Sequence, residues 1–263
     1  MRLKRYVLFL VSFALLAAAV ATGIRSQSNV LRPPVRQDAD TEINAPEVNF
    51  NAPEASDPKE KALRRERGKR YDYPGGGADV QRFVLSDKSP EVALDLPVSH
   101  GPTQSPLPAR ESDAVVVGKV TDARAYLSND KTSVYSEFTL LLDDVLKQSP
   151  SAPLAPGTVI SAERRGGVVR LPSGKSLVRG EFGRTMPRAG HRYVLFLRWH
   201  DEGQVFSILT GYELRGGKVV PLDGLSEKAP HLKQFAAFKD ADESSFLNKI
   251  REALSTPPEG GLR

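Results

Sequence analysis

SDAVVVGKV, Ser112 to Val120, decides the fold. A polar pair leads into three valines, and a glycine then stands inside a strand pattern. Consecutive β-branched residues favour extended backbone. A glycine within such a run marks a bulge or a sharp bend, which the first strand of a small barrel needs to pair with both halves of its sheet. A bulge or bend at Gly118 is therefore expected, and a flat strand through 114–122 would contradict the barrel. Ser112 and Asp113 read as the end of the preceding linker rather than as a catalytic pair.

Outward from this stretch the strand texture continues. AVVVGKVTDARAYL reads as one strand and TSVYSEFTLLLDDVLK as a long second one. In the second, Val134, Ser136, Phe138, Leu140 and Leu142 fall on one face. TVISAERR, GGVVRL and KSLVRG read as three shorter strands, with Gly166-Gly167 and Pro172-Ser173-Gly174 as the turns between them. HRYVLFLRWH is apolar on both faces, QVFSIL follows, and YELR and KVVPL form a hairpin across Gly216-Gly217. No helical crossover separates the strands, so the pattern is antiparallel. DADESSFLNKIREAL is the clearest helix, with Asp240 as cap, Glu243 three residues on, and an apolar stripe of Phe246, Leu247, Ile250, Ala253 and Leu254.

The expected fold over 111–254 is mainly β: a small antiparallel OB-like β-barrel with a C-terminal amphipathic helix that packs on it. A β-sandwich is the alternative. The remaining 255–263 reads as a disordered tail. Residues 25–110 hold eleven of the twenty prolines and read as a disordered or extended polar linker. Within it, Asn44-Ala45-Pro46-Glu47 recurs as Asn51-Ala52-Pro53-Glu54, QRFVLSD at 81–87 suggests a short strand, and Gly75 to Gly77 a hinge. KEKALRRERGKR, Lys59 to Arg70, is the basic cluster, read as a solvated short helix. Lipid headgroups, wall polymer or nucleic acid are its alternative contacts.

Residues 1–24 carry Arg2, Lys4 and Arg5 ahead of an apolar run from Tyr6 to Ile24, the layout of a secretory signal. Ala19 and Ala21 supply an A-x-A cleavage site. An uncleaved run is long enough to anchor the chain, with membrane contact through residues 6–24; a buried cytosolic helix is the third reading. Export, to the periplasm or beyond or onto the outer side of an inner membrane, follows from the first two. The net charge is +5, and the three basic residues at the N-terminus leave about +2 for the rest, too little to call for nucleic acid. The chain has no cysteine, which excludes disulfides and thiolate chemistry.

Signals for chemistry are few. Gly174-Lys175-Ser176 lacks the earlier glycine of a phosphate-binding loop and reads as a hairpin turn. The histidines His100, His191, His200 and His231 have no metal-ligand spacing, so neither a metal nor a cofactor is expected. Asp143-Asp144 should point to opposite faces, and Asp201-Glu202 reads as a solvated turn. No catalytic residue is assigned. The weak binding candidates are Trp199, with Arg198 and His200 flanking it. The function expected is an exported, non-enzymatic binding module whose partner is an unidentified envelope protein or polymer. An envelope hydrolase acting on wall polymer is the alternative, and a cavity joining His191 or His200 to a carboxylate and a serine would favour it.

The segments SDAVVVGKV, FTLLLDDVLK (138–147), the strand stretch at 187–197 and FLNKIREAL (246–254) together resemble a group of uncharacterised secreted bacterial β-domain proteins. More distantly, the layout is similar to netrin/TIMP-like OB domains. The resemblance implies fold and export. It implies no inhibitory activity, which in those domains relies on an N-terminal cysteine that this chain lacks.

Overall fold

A computed structural model describes residues 45–72, 105–180, 183–225 and 230–255. Its elements are β1 (Glu47–Asn49), α1 (Pro58–Lys69), β2 (Ala114–Leu127), β3 (Val134–Lys147), β4 (Val159–Arg170), β5 (Ser176–Gly180), β6 (Arg192–His200), β7 (Val205–Arg215), β8 (Lys218–Pro221), a 3-10 helix (Pro230–Phe238) and α2 (Glu243–Ser255). The fold is mainly β and holds a closed five-stranded barrel with extra strands and a C-terminal helix.

The barrel runs β4-β3-β2-β6-β7 and closes where β4 pairs β7 in parallel, Ala162 beside Phe206 and Glu163 beside Ser207. Every other seam of the ring is antiparallel. This is the strand order of an OB-fold, a Greek-key barrel whose first strand serves both halves of the sheet. β2 does this here: it pairs β3 along its length and β6 along its first part. The β2–β3 register shifts between Val117 and Gly118, so the expected bulge is present. A Cβ on Gly118 would lie 2.7 Å from the carbonyl oxygen of Leu141, which is why only glycine fits.

Two glycines overturn the reading of three short strands. β4 passes straight through Gly166 and Gly167, both at positive φ. The pair bends one strand instead of ending it. The first half pairs β3 in the barrel; the second pairs β5, and also β1 in parallel. QVFSIL and YELR likewise form one strand, β7. The hairpins at 171–175 and at Gly216-Gly217 stand where expected.

The barrel interior is filled by residues such as Val116, Phe138, Leu140, Ala162, Leu195 and Phe206. Phe246 and Ile250 of α2, 1% and 0% exposed, close a second apolar layer against Val115, Val117 and Phe196 on the outside of β2 and β6. Each contributes about 1.5–3 kcal/mol by burial. The cap of α2 is Asp242, whose carboxylate accepts from the Ser245 N–H at 2.9 Å, and not Asp240. Asp240 sits at φ 62°, outside the extended backbone a cap adopts, and its N–H goes to the Val219 carbonyl.

The disordered-linker expectation for 25–110 is corrected over 45–72 and over 105–110, where Ala109 is buried and the Pro106 carbonyl accepts from the Tyr212 hydroxyl. β1 pairs β4 and puts Val48 among the apolar side chains of Val169 and Leu177. α1 is a capped helix: Asp57 accepts from the Glu60 N–H at 2.9 Å, and Pro58 opens the first turn. The expectations for 1–24, Ala19 and Ala21, 81–87 and 255–263 lie outside the described residues, except Ser255, which ends α2. Among the described residues no helix is long and apolar enough to cross a membrane.

Candidate functional site

Strand alternation decides what the outer face of β3, β4 and β7 carries. Phe138, Ala162 and Phe206 point into the barrel, so Glu137, Glu163 and Ser207 point out. Glu137 and Glu163 are direct cross-strand neighbours, and Glu163 is beside Ser207. Two carboxylates directly opposite repel. The face therefore calls for a cation.

α1 supplies two. Arg67 Nη1 donates to Glu137 at 2.7 Å and its Nε to the Gly203 carbonyl at 2.9 Å. Arg70 pairs with Glu163, and the Tyr71 hydroxyl donates to the same carboxylate at 2.6 Å. Tyr71 stacks on Tyr135 with centroids 4.6 Å apart, and Arg64 lies 3.7 Å over the Tyr126 ring. The β2–β3 loop grips the helix too: Asn129 Nδ2 donates to the Arg65 carbonyl at 2.9 Å. Gly68 makes that approach possible, since a Cβ there would come within 2.6 Å of Asn129 Oδ1. The basic cluster is thus a helix, as expected, but its arginine face is not solvated. Arg64, Arg67, Arg70 and Tyr71 recur at i, i+3, i+6 and i+7, one helix face. That spacing was the overlooked signal.

The covered face is the one that OB-folds use for ligands, the broad side of the second and third barrel strands with the loops joining strands one to two and four to five. Here the β2–β3 loop (Asn129) and the β6–β7 loop (Gly203, Gln204) hold α1. Glu163 ends with 0% exposure, and burial pushes its carboxyl up to about 7 against the pull of Arg70 and Tyr71. Burial, together with the Glu163 charge, raises the Tyr71 hydroxyl.

Beside these contacts lies a cavity of about 280 Å³. Arg70, Glu163, Arg164, Arg165, Arg184, His200 and Ser207 line it, Ser207 directly beside Glu163. His200 Nε2 is 2.9 Å from Ser207 Oγ, and burial, then the charges of Arg70 and Arg198, push the imidazole down. Of the three sequence candidates only His200 reaches the cavity. Trp199 packs on Phe206 and donates its indole N–H to Asp201, and Arg198 is exposed near the Glu111 carbonyl.

The other signals go elsewhere. His191 bonds Glu213 at 2.9 Å, Asp143 pairs with Arg192, and Asp144 faces Arg251 at 3.8 Å. Asp113 accepts from the Trp199 backbone N–H. His100 lies outside the described residues, as does the side chain of His231. Among the described residues no cluster of three or more metal-ligand side chains occurs. No protein-family model matches this chain, and no curated protein is significantly similar to it.

Proposed function

We propose that this chain is an exported or membrane-tethered, non-enzymatic binding module of the cell envelope, and that its barrel recognises a basic, arginine-bearing polypeptide segment on the β3–β4–β7 face. The kinship with secreted bacterial β-domain proteins belongs to the same proposal. One observation carries it: segment 57–72 of the chain itself occupies that face through Arg67, Arg70 and Tyr71. Among the described residues, no aliphatic side chain of α1 belongs to the barrel's apolar clusters, so polar bonds hold it. Such a contact exchanges for another of the same chemistry more readily than an apolar one. Nucleic acid suits this face poorly, because uncovering it leaves Glu137 and Glu163 as adjacent unpaired carboxylates that repel a phosphate backbone.

The hydrolase reading has one observation in its favour. His200 and Ser207 bond inside a cavity that Glu163 also lines, the convergence named above. Ser207, however, lies within β7 and not on a turn that presents a nucleophile, and Glu163 Oε1 is bonded to α1.

The test is binding in trans. A labelled peptide of residues 57–72 is titrated into the full-length protein and into its Arg67→Ala/Arg70→Ala variant. The variant, its own helix released, should bind at least about tenfold more tightly than the parent. A peptide with both arginines and the tyrosine replaced should bind neither. Equal, weak binding of both peptides to a folded variant would overturn the reading. So would turnover of wall polymer or esters that Ser207→Ala abolishes.

A further inference from the structure

We propose that the cavity between α1 and the β4–β7 seam is a binding site for a small oxyanion, a carboxylate or a phosphate, held by Arg70. The first ground is an imbalance in hydrogen bonding. Arg70 uses Nη2 on Glu163, while its Nε and Nη1 are buried without a partner. Buried donors cost about 1–3 kcal/mol each when unsatisfied, so a site of this kind has an occupant to gain from. Nε–H and Nη1–H point to different sides of the guanidinium, since both of its two-point edges include the Nη2 held by Glu163, so each can donate singly to an oxygen of a carboxylate or phosphate.

The second ground is charge. Arg164, Arg165 and Arg184 line the same cavity. Arg164 pairs with Asp223 and donates to the Thr185 carbonyl, Arg165 donates to Ser133, and Arg184 donates to the Leu209 carbonyl. They add field rather than geometry. Four guanidiniums face two carboxylates, Glu163 and Asp223, and the surplus is positive. Ser207 Oγ, beside Glu163 across the seam and bonded to His200, adds a polar group to the lining.

The third ground is Glu163 Oε2, buried and unpartnered as well. With its carboxyl pushed up to about 7 by burial, Glu163 is protonated below neutrality and Oε2–H becomes a further donor to the anion. Ionisation turns it into a repeller. Around it stand Arg70 and Tyr71 at the C-terminal end of α1, Glu137 from β3, Arg165 from β4, Ser207 from β7 and His200 from β6. His200, pushed down, gains its charge at lower pH still and acts in the same sense. Anion binding therefore strengthens as pH falls. Because Arg70 caps the C-terminus of α1, the anion and the docked helix stabilise each other reciprocally.

The experiment is calorimetric titration of the full-length protein with inorganic phosphate and separately with acetate, against chloride at matched ionic strength. One saturable site per chain is expected for at least one of them; saturation by phosphate alone, or by acetate alone, also names the source. Affinity should fall at least about tenfold in Arg70→Gln and in Arg184→Gln. Arg184 donates to the Leu209 carbonyl of β7, so its variant reads the cavity from the barrel side. For acetate, affinity should also weaken from about pH 6 to about pH 8 as Glu163 ionises. Neither anion binding beyond chloride, or binding undiminished in both variants, overturns the proposal.

Discussion

α1 and α2 both pack on the outside of one barrel, and they do so by opposite chemistry. α2 buries Phe246 and Ile250 against β2 and β6. α1 and the two residues after it bury Arg67 and Tyr71 and pair Arg67 and Arg70 with Glu137 and Glu163. An apolar seal has no titrating partner, and nothing in water replaces it. A polar seal depends on the protonation of its partners and competes with water and with other cations. The barrel thus has a permanent cover on one side and a conditional one on the other.

The largest expected effect breaks the permanent cover. Phe246→Ala should cost about 3–5 kcal/mol of global stability, seen as a lower denaturant midpoint for barrel and helix together. If α2 melted alone, it would be no more integral than α1.

Arg70→Ala is the matching change on the other side. It strips the cation from a buried carboxylate, which would cost about 3–5 kcal/mol if Glu163 stayed buried. Glu163 can instead return to water when α1 leaves, so the loss stops at the docking energy, about 1–3 kcal/mol. Hydrogen exchange should show residues 64–71 opening while β2, β3 and β6 keep their protection. Equal loss in the barrel would make α1 part of the core.

The most gradual effect is that of pH, because His200 offsets part of what Glu163 contributes. Glu163 goes from its ordinary 4.5 to about 7 on burial, so docking of α1 takes up a proton between those values. Its contribution is complete below 4.5, falls as pH rises towards 7 and is flat above, at most about tenfold in opening per pH unit. Asp72, raised by burial and by Asp130, acts in the same direction. His200, lowered by burial and Arg70, acts in the opposite one below its ordinary 6.5. The parent should show a shallow loosening of α1 towards neutrality, and His200→Gln a steeper one. Limited trypsin cleavage at Arg64 and Arg65 across this range measures both. A slope unchanged in His200→Gln would remove the imidazole from the balance.

Strand order was partly legible because local signals carry it. The valine run, Gly118 and the period-two face of β3 spoke for a barrel, and the bulge at Gly118 lies where the sequence asked for it. Gly166-Gly167 misled, because two glycines signal a break in the chain direction without saying whether the strand ends or bends. The partner across the bend, β1, comes from a segment with the composition of a linker. At the site, His200 stood out by its neighbours in sequence. Glu163 and Ser207 did not, since they meet only through the parallel β4–β7 closure.

The sequence by itself determined the β pattern, the amphipathic α2 and the divided composition of the chain, because periodicity and turn chemistry act between near neighbours. Only the tertiary structure decided that residues 45–72 belong to the folded unit. It alone set two glutamates side by side on an outer face and brought an arginine helix about 70 and 93 residues away to neutralise them. Charge alone does not say which partner a basic helix will meet; that depends on which strands the barrel closure brings together.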